Sequence, residues 1–160
     1  MIKILEGVDG VGKSTHAAWL AKQNGGRIIH AGFPTHDHWH KEYIMPILDH
    51  TVEHPNQDLI LDRWHIGEMI WPVIFNRGSL FKQFDSFELC HNRLLQLGAE
   101  MIFIYREADA ITNTLMMRGE QDQIDDVLKA QDLFMDLIFK IDGIKAMNSN
   151  DLEREILDAH

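Results

Sequence analysis

The 160-residue sequence contains a single cysteine, Cys90, so the chain cannot form an internal disulfide. No apolar run approaches the roughly 20 residues that a membrane-spanning helix requires, and no charged-then-apolar leader precedes the first predicted strand. Apolar residues nevertheless make up 45% of the chain and charged residues 25%, which is ordinary for a globular domain. We therefore expect one domain over residues 1–160, in a cytoplasmic protein without a membrane partner.

Positive charge is scarce, because 15 lysines and arginines are outnumbered by 25 acids and the formal charge is −10. Residues 107–160 hold thirteen acids and five Lys or Arg, whereas residues 1–106 hold twelve and ten. A surface of this sign repels an extended polyanion at long range. The composition therefore disfavours extended nucleic acid as a partner, while a small phosphorylated ligand can still bind where a few cations and backbone N–H groups converge.

Short apolar runs alternate with segments of helical periodicity along the whole chain. Five runs are predicted as strands, at residues 2–5, 27–31, 58–61, 101–105 and 144–147. Helices are predicted at residues 13–23, 38–52 with a kink at Pro46, 65–75, 83–97, 108–117 and 123–140, and around Leu152 and Ile156. Strands that alternate with helices form a parallel sheet covered on both faces. The predicted fold is therefore α/β, with a five-stranded parallel sheet flanked by helices.

Residues 7–14 read Gly-Val-Asp-Gly-Val-Gly-Lys-Ser and match the pattern G-x-x-x-x-G-K-[ST] at every fixed position. A predicted strand precedes the match and a predicted helix follows it, as this phosphate-binding loop requires. The backbone N–H groups of such a loop bind phosphates, lysine neutralises them and the hydroxyl is a ligand for Mg²⁺. We therefore predict ATP as donor, Mg²⁺ as cofactor and a nucleotide site made of Gly7, Val8, Asp9, Gly10, Val11, Gly12, Lys13, Ser14 and Thr15.

Four segments resemble the thymidylate kinases and deoxynucleoside kinases. Residues 6–15 are similar to the E-G-x-D-G-x-G-K-S-T segment of thymidylate kinases, and Asp62-Arg63-Trp64 is similar to a D-R-aromatic segment of both families. Phe33-Pro34 resembles a less specific F-P element, and residues 104–119 resemble the fourth strand, its following helix and the lid. This resemblance implies a three-layer P-loop kinase fold with a short lid.

The resemblance also implies roles for the matched residues. Asp9 would face the sugar of the acceptor, and Arg63 would hold the acceptor phosphate and the transferring phosphoryl group with its planar fork. Asp62 would face the metal, as Ser14 does. Arg118 is the lid cation of this scheme, and its alternative is a cation that only stabilises a helix C-terminus. The predicted catalytic residues are Lys13, Arg63 and Arg118.

The sequence departs from both families where they bind the acceptor base. The F-S-A-N-R-like segment of thymidylate kinases is missing from the 28 residues between Pro34 and Arg63. The E-P-x-x-x-W segment that supplies the general base of deoxynucleoside kinases is also missing, and Thr35 and His36 follow Pro34. The acceptor site must therefore be built from other residues.

Aromatic side chains offer another way to hold a nucleobase. We expect this site to combine the loop at Arg77 with four aromatic residues, Phe33, Trp39, Trp64 and Trp71. His65 and Glu68 are three residues apart and are expected to share a helix face near the acceptor, where Glu68 can pair with Arg77. The predicted substrate-binding residues are Asp9, Phe33, Arg63, Trp64, Glu68 and Arg77.

Transfer of a phosphoryl group to oxygen depends on positioning and charge neutralisation more than on covalent help. A monophosphate oxygen is already nucleophilic at neutral pH, so the missing general base fits a nucleotide acceptor better than a nucleoside. The sequence therefore predicts an ATP-dependent deoxynucleoside monophosphate kinase that is thymidylate kinase-like. The alternatives are a deoxynucleoside kinase, a kinase for a modified base in DNA and a non-catalytic nucleotide-binding module. The sequence leaves open whether the protein forms a homodimer.

Overall fold

The computed structural model describes residues 1–158 and is built on a five-stranded parallel sheet. The strands are β1 (Ile2–Glu6), β2 (Arg27–His30), β3 (Leu59–Asp62), β4 (Ala99–Tyr105) and β5 (Ile144–Asn148). Their order across the sheet is β2-β3-β1-β4-β5, and every neighbouring pair is parallel. The predicted α/β class and the five-stranded parallel sheet are confirmed.

Within residues 1–158, seven α-helices connect the strands and cover the sheet. They are α1 (Lys13–Asn24), α2 (Met45–Glu53), α3 (Gly67–Ile74), α4 (Phe84–Gln96), α5 (Ala108–Arg118), α6 (Ile124–Ile138) and α7 (Ser149–Asp158). A short 3₁₀ turn, Gln121–Gln123, lies between α5 and α6, directly after the segment of residues 104–119 in which the resemblance implies a lid. No helix within residues 1–158 is both long and apolar enough to cross a lipid bilayer.

The helix predicted at residues 38–52 is interrupted in the structure. Its first part is a π-helical turn, His40–Ile44, and Pro46 lies in the first turn of α2. Proline has no N–H to donate to the preceding turn, so an uninterrupted α-helix loses a hydrogen bond at this position. The N–H of Met45 instead bonds to the carbonyl of His40, five residues back. The kink predicted at Pro46 is therefore present as a change of helix type.

The hydrophobic core lies on both faces of the sheet, and the central strands β1 and β3 contribute side chains to both sides of it. Ile4, Leu5 and Leu61 are fully buried, and so are Phe103 of β4 and Phe134 of α6. Strands covered on both faces need apolar side chains in both alternating sets, which explains the continuous apolar runs in the sequence. The strands themselves are therefore mainly apolar, and the polar residues of the site lie at the carboxyl ends of the strands.

Candidate active site

The turn between β1 and α1 forms a loop that is packed against the neighbouring strand β4. A Cβ atom on Gly7 would overlap the carbonyl oxygen of Ile104, so only glycine fits at this contact. Gly12 caps α1 with a φ of 90°, a left-handed conformation that glycine adopts without strain. The loop therefore directs the first N–H groups of α1 towards one side, which is the arrangement that binds anions at a helix N-terminus.

Lys13 lies in the first turn of α1 and is almost completely buried within this loop. Its Nζ donates a hydrogen bond of 2.6 Å to the carbonyl oxygen of Val8. The pKa of Lys13 is lowered to about 8, mainly by burial and secondly by the positive charge of Arg63. The ammonium group is thus held where the fold disfavours its charge, and a bound polyanion would stabilise that charge.

Asp62 ends β3 and contacts two side chains from neighbouring segments. Its Oδ2 accepts a hydrogen bond of 2.9 Å from Ser14 Oγ and lies 3.2 Å from His30 Nδ1. The other oxygen, Oδ1, is buried and has no hydrogen-bond partner among the described residues. A hydroxyl and a carboxylate with an unused oxygen are the hard oxygen donors that Mg²⁺ prefers, so these residues fit the predicted cofactor.

Arg63 follows Asp62 and adopts a φ of 65°, which is rare for a residue other than glycine. Its Nη2 forms an ion pair with Oδ1 of Asp9 in the phosphate-binding loop. Both side chains are about one-third exposed, at 32% for Arg63 and 33% for Asp9, so the pair remains accessible to a ligand. The structure therefore places this pair at the surface of the loop, beside buried Lys13.

A cavity of about 270 Å³ opens beside this ion pair. All six predicted substrate-binding residues line it, namely Asp9, Phe33, Arg63, Trp64, Glu68 and Arg77. Trp71 also lines the cavity, whereas Trp39 does not. Sequence reasoning missed five further lining residues, two after β2 and three in or beside helical segments, namely Ala31, Gly32, Tyr43, Gly67 and Phe75. Their spacing carries no signal, because they come from separate segments of the chain.

Glu68 and Arg77 form one wall of this cavity. The two guanidinium nitrogens Nη1 and Nη2 of Arg77 donate to the two carboxylate oxygens of Glu68 at 3.0 and 2.9 Å. Glu68 Oε1 also accepts a 2.8 Å bond from the N–H of Leu80, and the guanidinium carbon of Arg77 lies 5.0 Å from the ring centroid of Phe33. The predicted ion pair is therefore present, and its bidentate geometry makes this wall rigid.

His65 does not share the cavity with Glu68, contrary to the expectation from their spacing. Its ring is fully buried and stacks on Phe87, and its Nε2 atom lies 3.0 Å from the Nδ1 atom of His91. Burial holds the pKa of His65 well below its ordinary value. The reason is that α3 begins only at Gly67, so helical spacing does not relate residue 65 to residue 68.

Arg118 lies exposed at the end of α5 and makes no hydrogen bond or ion pair with any of residues 1–158. A different arginine contacts the loop. Arg106 follows β4, and its Nη1 lies 3.5 Å from the carbonyl oxygen of Gly10. Gln131 bonds to both the N–H and the carbonyl of Arg106, at 3.2 and 2.9 Å. Arg106 comes directly after a buried strand, and this position is the signal that sequence reasoning overlooked.

Glu6, the last residue of β1, is buried behind the loop. Its Oε1 accepts hydrogen bonds from the N–H groups of Trp64 at 2.9 Å and Ile66 at 3.0 Å. Its Oε2 is buried with no hydrogen-bond partner in the part of the chain that the structure describes. Burial raises the pKa of Glu6 to about 7, although the N–H groups of Ile66, Trp64 and Gly67 and the charge of Lys13 act in the opposite direction.

We expect Glu6 to make the stability of the fold depend on pH. The folded protein keeps this proton up to about pH 7, whereas the unfolded chain releases it near 4.5. The stabilisation is therefore complete at acidic pH and is lost as the pH rises through 7. Between pH 5 and 8 the wild type should lose about 2 to 3 kcal/mol of unfolding free energy relative to Glu6→Gln, whose amide cannot ionise. Urea unfolding at several pH values measures this difference, and parallel curves for the two proteins would contradict it.

Comparison with solved structures finds proteins with this architecture. The YorR protein of Bacillus subtilis, solved in complex with phosphorylated GDP, matches with a TM-score of 0.64 at 20% identity, over 99% of this chain and 95% of that one. Polyphosphate kinase 2 from Arthrobacter aurescens TC1 matches with a TM-score of 0.65 at 14% identity, over 98% of this chain and 64% of that one. Deoxyadenosine kinase from M. mycoides, solved with bound dATP, matches with a TM-score of 0.51 at 14% identity, over 99% and 98%.

Neither protein-family models nor curated proteins gave a match to the sequence. At the identities found, the structural likeness establishes that the chain has the P-loop kinase fold.

Proposed function

We propose that this protein is an ATP-dependent phosphotransferase whose acceptor is a deoxynucleoside monophosphate. One observation carries the proposal: Asp9 of the phosphate-binding loop and its ion-pair partner Arg63 both line the adjacent cavity. A ligand in this cavity therefore lies next to a triphosphate bound by the loop. In-line transfer requires such adjacency, because holding donor and acceptor together supplies much of the rate enhancement.

On the donor side, residues 7–15 bind the triphosphate. The N–H groups at the start of α1 donate hydrogen bonds to its phosphate oxygens. Lys13 releases its bond to Val8 and contacts the β- and γ-phosphates. Magnesium, when held by Ser14 and Asp62, supplies further charge neutralisation at these phosphates. Arg118 is proposed as the lid cation, because its charged side chain is exposed at the end of α5.

On the acceptor side, Arg63 binds the phosphate of the nucleotide with the guanidinium N–H groups that Asp9 does not use. Aromatic side chains around the cavity, Phe33, Trp64 and Trp71, pack against the base and sugar. An oxygen of the acceptor phosphate then bonds to the γ-phosphorus while the bond from that phosphorus to the bridging oxygen of ADP breaks. No proton has to be removed from the acceptor, so no general base is needed.

A deoxynucleoside kinase is the second candidate, because the Asp9 carboxylate lines the cavity and could accept a proton from a 5′-hydroxyl. Its ion pair with Arg63 argues against this role. The Oδ1 atom of Asp9 is already bonded to the guanidinium group of Arg63, so it is not free to accept a proton from a hydroxyl. The monophosphate acceptor is therefore favoured.

A screen for ADP release tests the proposal. Each common deoxynucleoside and its 5′-monophosphate is incubated with magnesium and ATP, and the product is identified by phosphorus NMR. We expect ADP and a deoxynucleoside diphosphate from at least one monophosphate, and none from the parent nucleosides. Phosphorylation of nucleosides alone would support the second candidate, and no ADP release with any acceptor would reject both.

A further inference from the structure

We infer that Glu6 is a positioning residue, whose buried carboxyl group joins the end of β1 to the turn after β3 and so holds Arg63 in place for transfer. The inference rests on the proposed function, in which Arg63 contacts the acceptor phosphate. Glu6 itself does not line the cavity, and so would act through Arg63.

The backbone at Arg63 is strained and is held from both sides. A φ of 65° in a residue with a side chain persists only where the surroundings over-determine it. On the near side, the N–H of Arg63 donates to the carbonyl oxygen of Leu5 at 2.9 Å. The turn that follows needs a second anchor, because the chain leaves the sheet at this residue.

Glu6 supplies that anchor. Its Oε1 accepts both the Trp64 and the Ile66 N–H groups, at 2.9 and 3.0 Å, from residues 58 and 60 positions away in the sequence. Both bonds are buried, so an apolar side chain at position 6 would leave two donors without partners. Leu5 and Glu6 together therefore hold the backbone on either side of Arg63.

The same geometry places Glu6 against the back wall of the cavity. A Cβ atom on Gly67 would lie 3.7 Å from Glu6 Oε2 and 3.3 Å from the ring of Trp71. A change in the turn at residues 64–67 would therefore move both Arg63 and the surface on which an acceptor rests.

Glu6 also has an alternative role, as a partner for the positive charge of Lys13, since the two groups interact electrostatically. The two roles require different properties of the side chain. Positioning requires a hydrogen-bond acceptor at Oε1, which both carboxyl and amide groups provide. Charge compensation requires a negative charge, which an amide lacks. Glu6→Gln therefore separates them.

The kinetic test compares Glu6→Gln with Glu6→Leu, a side chain of similar size without an acceptor. We expect Glu6→Gln to keep kcat within roughly threefold of wild type. Glu6→Leu should lower kcat roughly 10- to 100-fold with the KM for ATP nearly unchanged, because the displaced group acts on transfer and not on donor binding. Wild-type turnover in Glu6→Leu, or an equal loss in both variants, would overturn the inference.

A second measurement needs no substrate, and so separates this inference from the proposed function. Amide hydrogen exchange at Trp64 and Ile66 should be slow in wild type and in Glu6→Gln, and at least roughly tenfold faster in Glu6→Leu. If the wild type transfers phosphate to no acceptor, the proposed function fails while the exchange rates still report on the anchor. Should Glu6→Leu fail to fold, Glu6→Asp replaces it in both measurements, because its shorter side chain cannot reach both N–H groups. Fast exchange of these amides in the folded wild type would overturn the inference.

Discussion

Replacing Lys13 with alanine should lower turnover by at least roughly 10²-fold, as expected for the loss of one preorganised electrostatic donor. The ammonium group is buried inside the loop, where water screens it little, and it is the cation placed to neutralise charge that develops between the β- and γ-phosphates. Steady-state assays with saturating magnesium-ATP and the best acceptor measure the change in kcat.

The fold should survive this substitution. Burial already lowers the pKa of Lys13 to about 8, which means that the fold disfavours the charged form. The thermal unfolding midpoint of Lys13→Ala should therefore not fall, and an activity loss cannot be assigned to unfolding. Lys22→Ala is the matched control, because Lys22 lies exposed in the last turn of the same helix and should be dispensable. Near-normal turnover in Lys13→Ala would reject the assigned role.

Replacing Arg63 with alanine should lower kcat by roughly 10³-fold while ATP affinity stays close to that of wild type. An arginine that binds transferring phosphate contributes 10³ to 10⁵ in well-studied phosphotransferases. The structure favours a selective effect, because Arg63 pairs with Asp9 at the cavity and makes no contact with Lys13 or Ser14 among the hydrogen bonds of residues 1–158. Calorimetry with magnesium-ATP and initial-rate kinetics separate donor binding from transfer.

Two further variants make this second experiment specific. Arg93→Ala is the matched control, since Arg93 is exposed on α4 and its side chain bonds only to Gln96 among residues 1–158. Asp9→Asn combined with Arg63→Ala removes the unpaired carboxylate that the single variant leaves beside the phosphates. If Arg63→Ala lost ATP binding but kept its turnover at saturating ATP, Arg63 would belong to the donor site and the proposed acceptor role would be wrong.

The fold was predictable because each of its elements has a local cause. The apolar run at Ile4 and Leu5 specifies a buried parallel strand, and the glycines around Lys13 specify the loop after it. Boundaries differ where backbone hydrogen bonding overrides periodicity. Pro46 changes the helix type before α2, and α3 begins two residues later than predicted.

The site was predictable in part. Asp62 and Arg63 follow a strand that pairs with the strand before the loop, so their convergence with Ser14 and Asp9 follows from parallel topology. Glu68 and Arg77 are close enough along the chain for their pairing to be anticipated. The roles of Arg118 and of the remaining site residues stay predictions that the experiments above test.

The sequence alone determined that this chain forms a parallel α/β sheet with a phosphate-binding loop after its first strand, because both depend on patterns within a few consecutive residues. Only the tertiary structure decided which side chains surround the cavity, that His65 lies in the core and that Glu6 bonds to Trp64 and Ile66. These contacts join residues that are far apart in the sequence or are related by a turn whose path no local pattern specifies. Packing decides such contacts, since most buried polar groups are hydrogen-bonded to whatever partner the folded chain brings close.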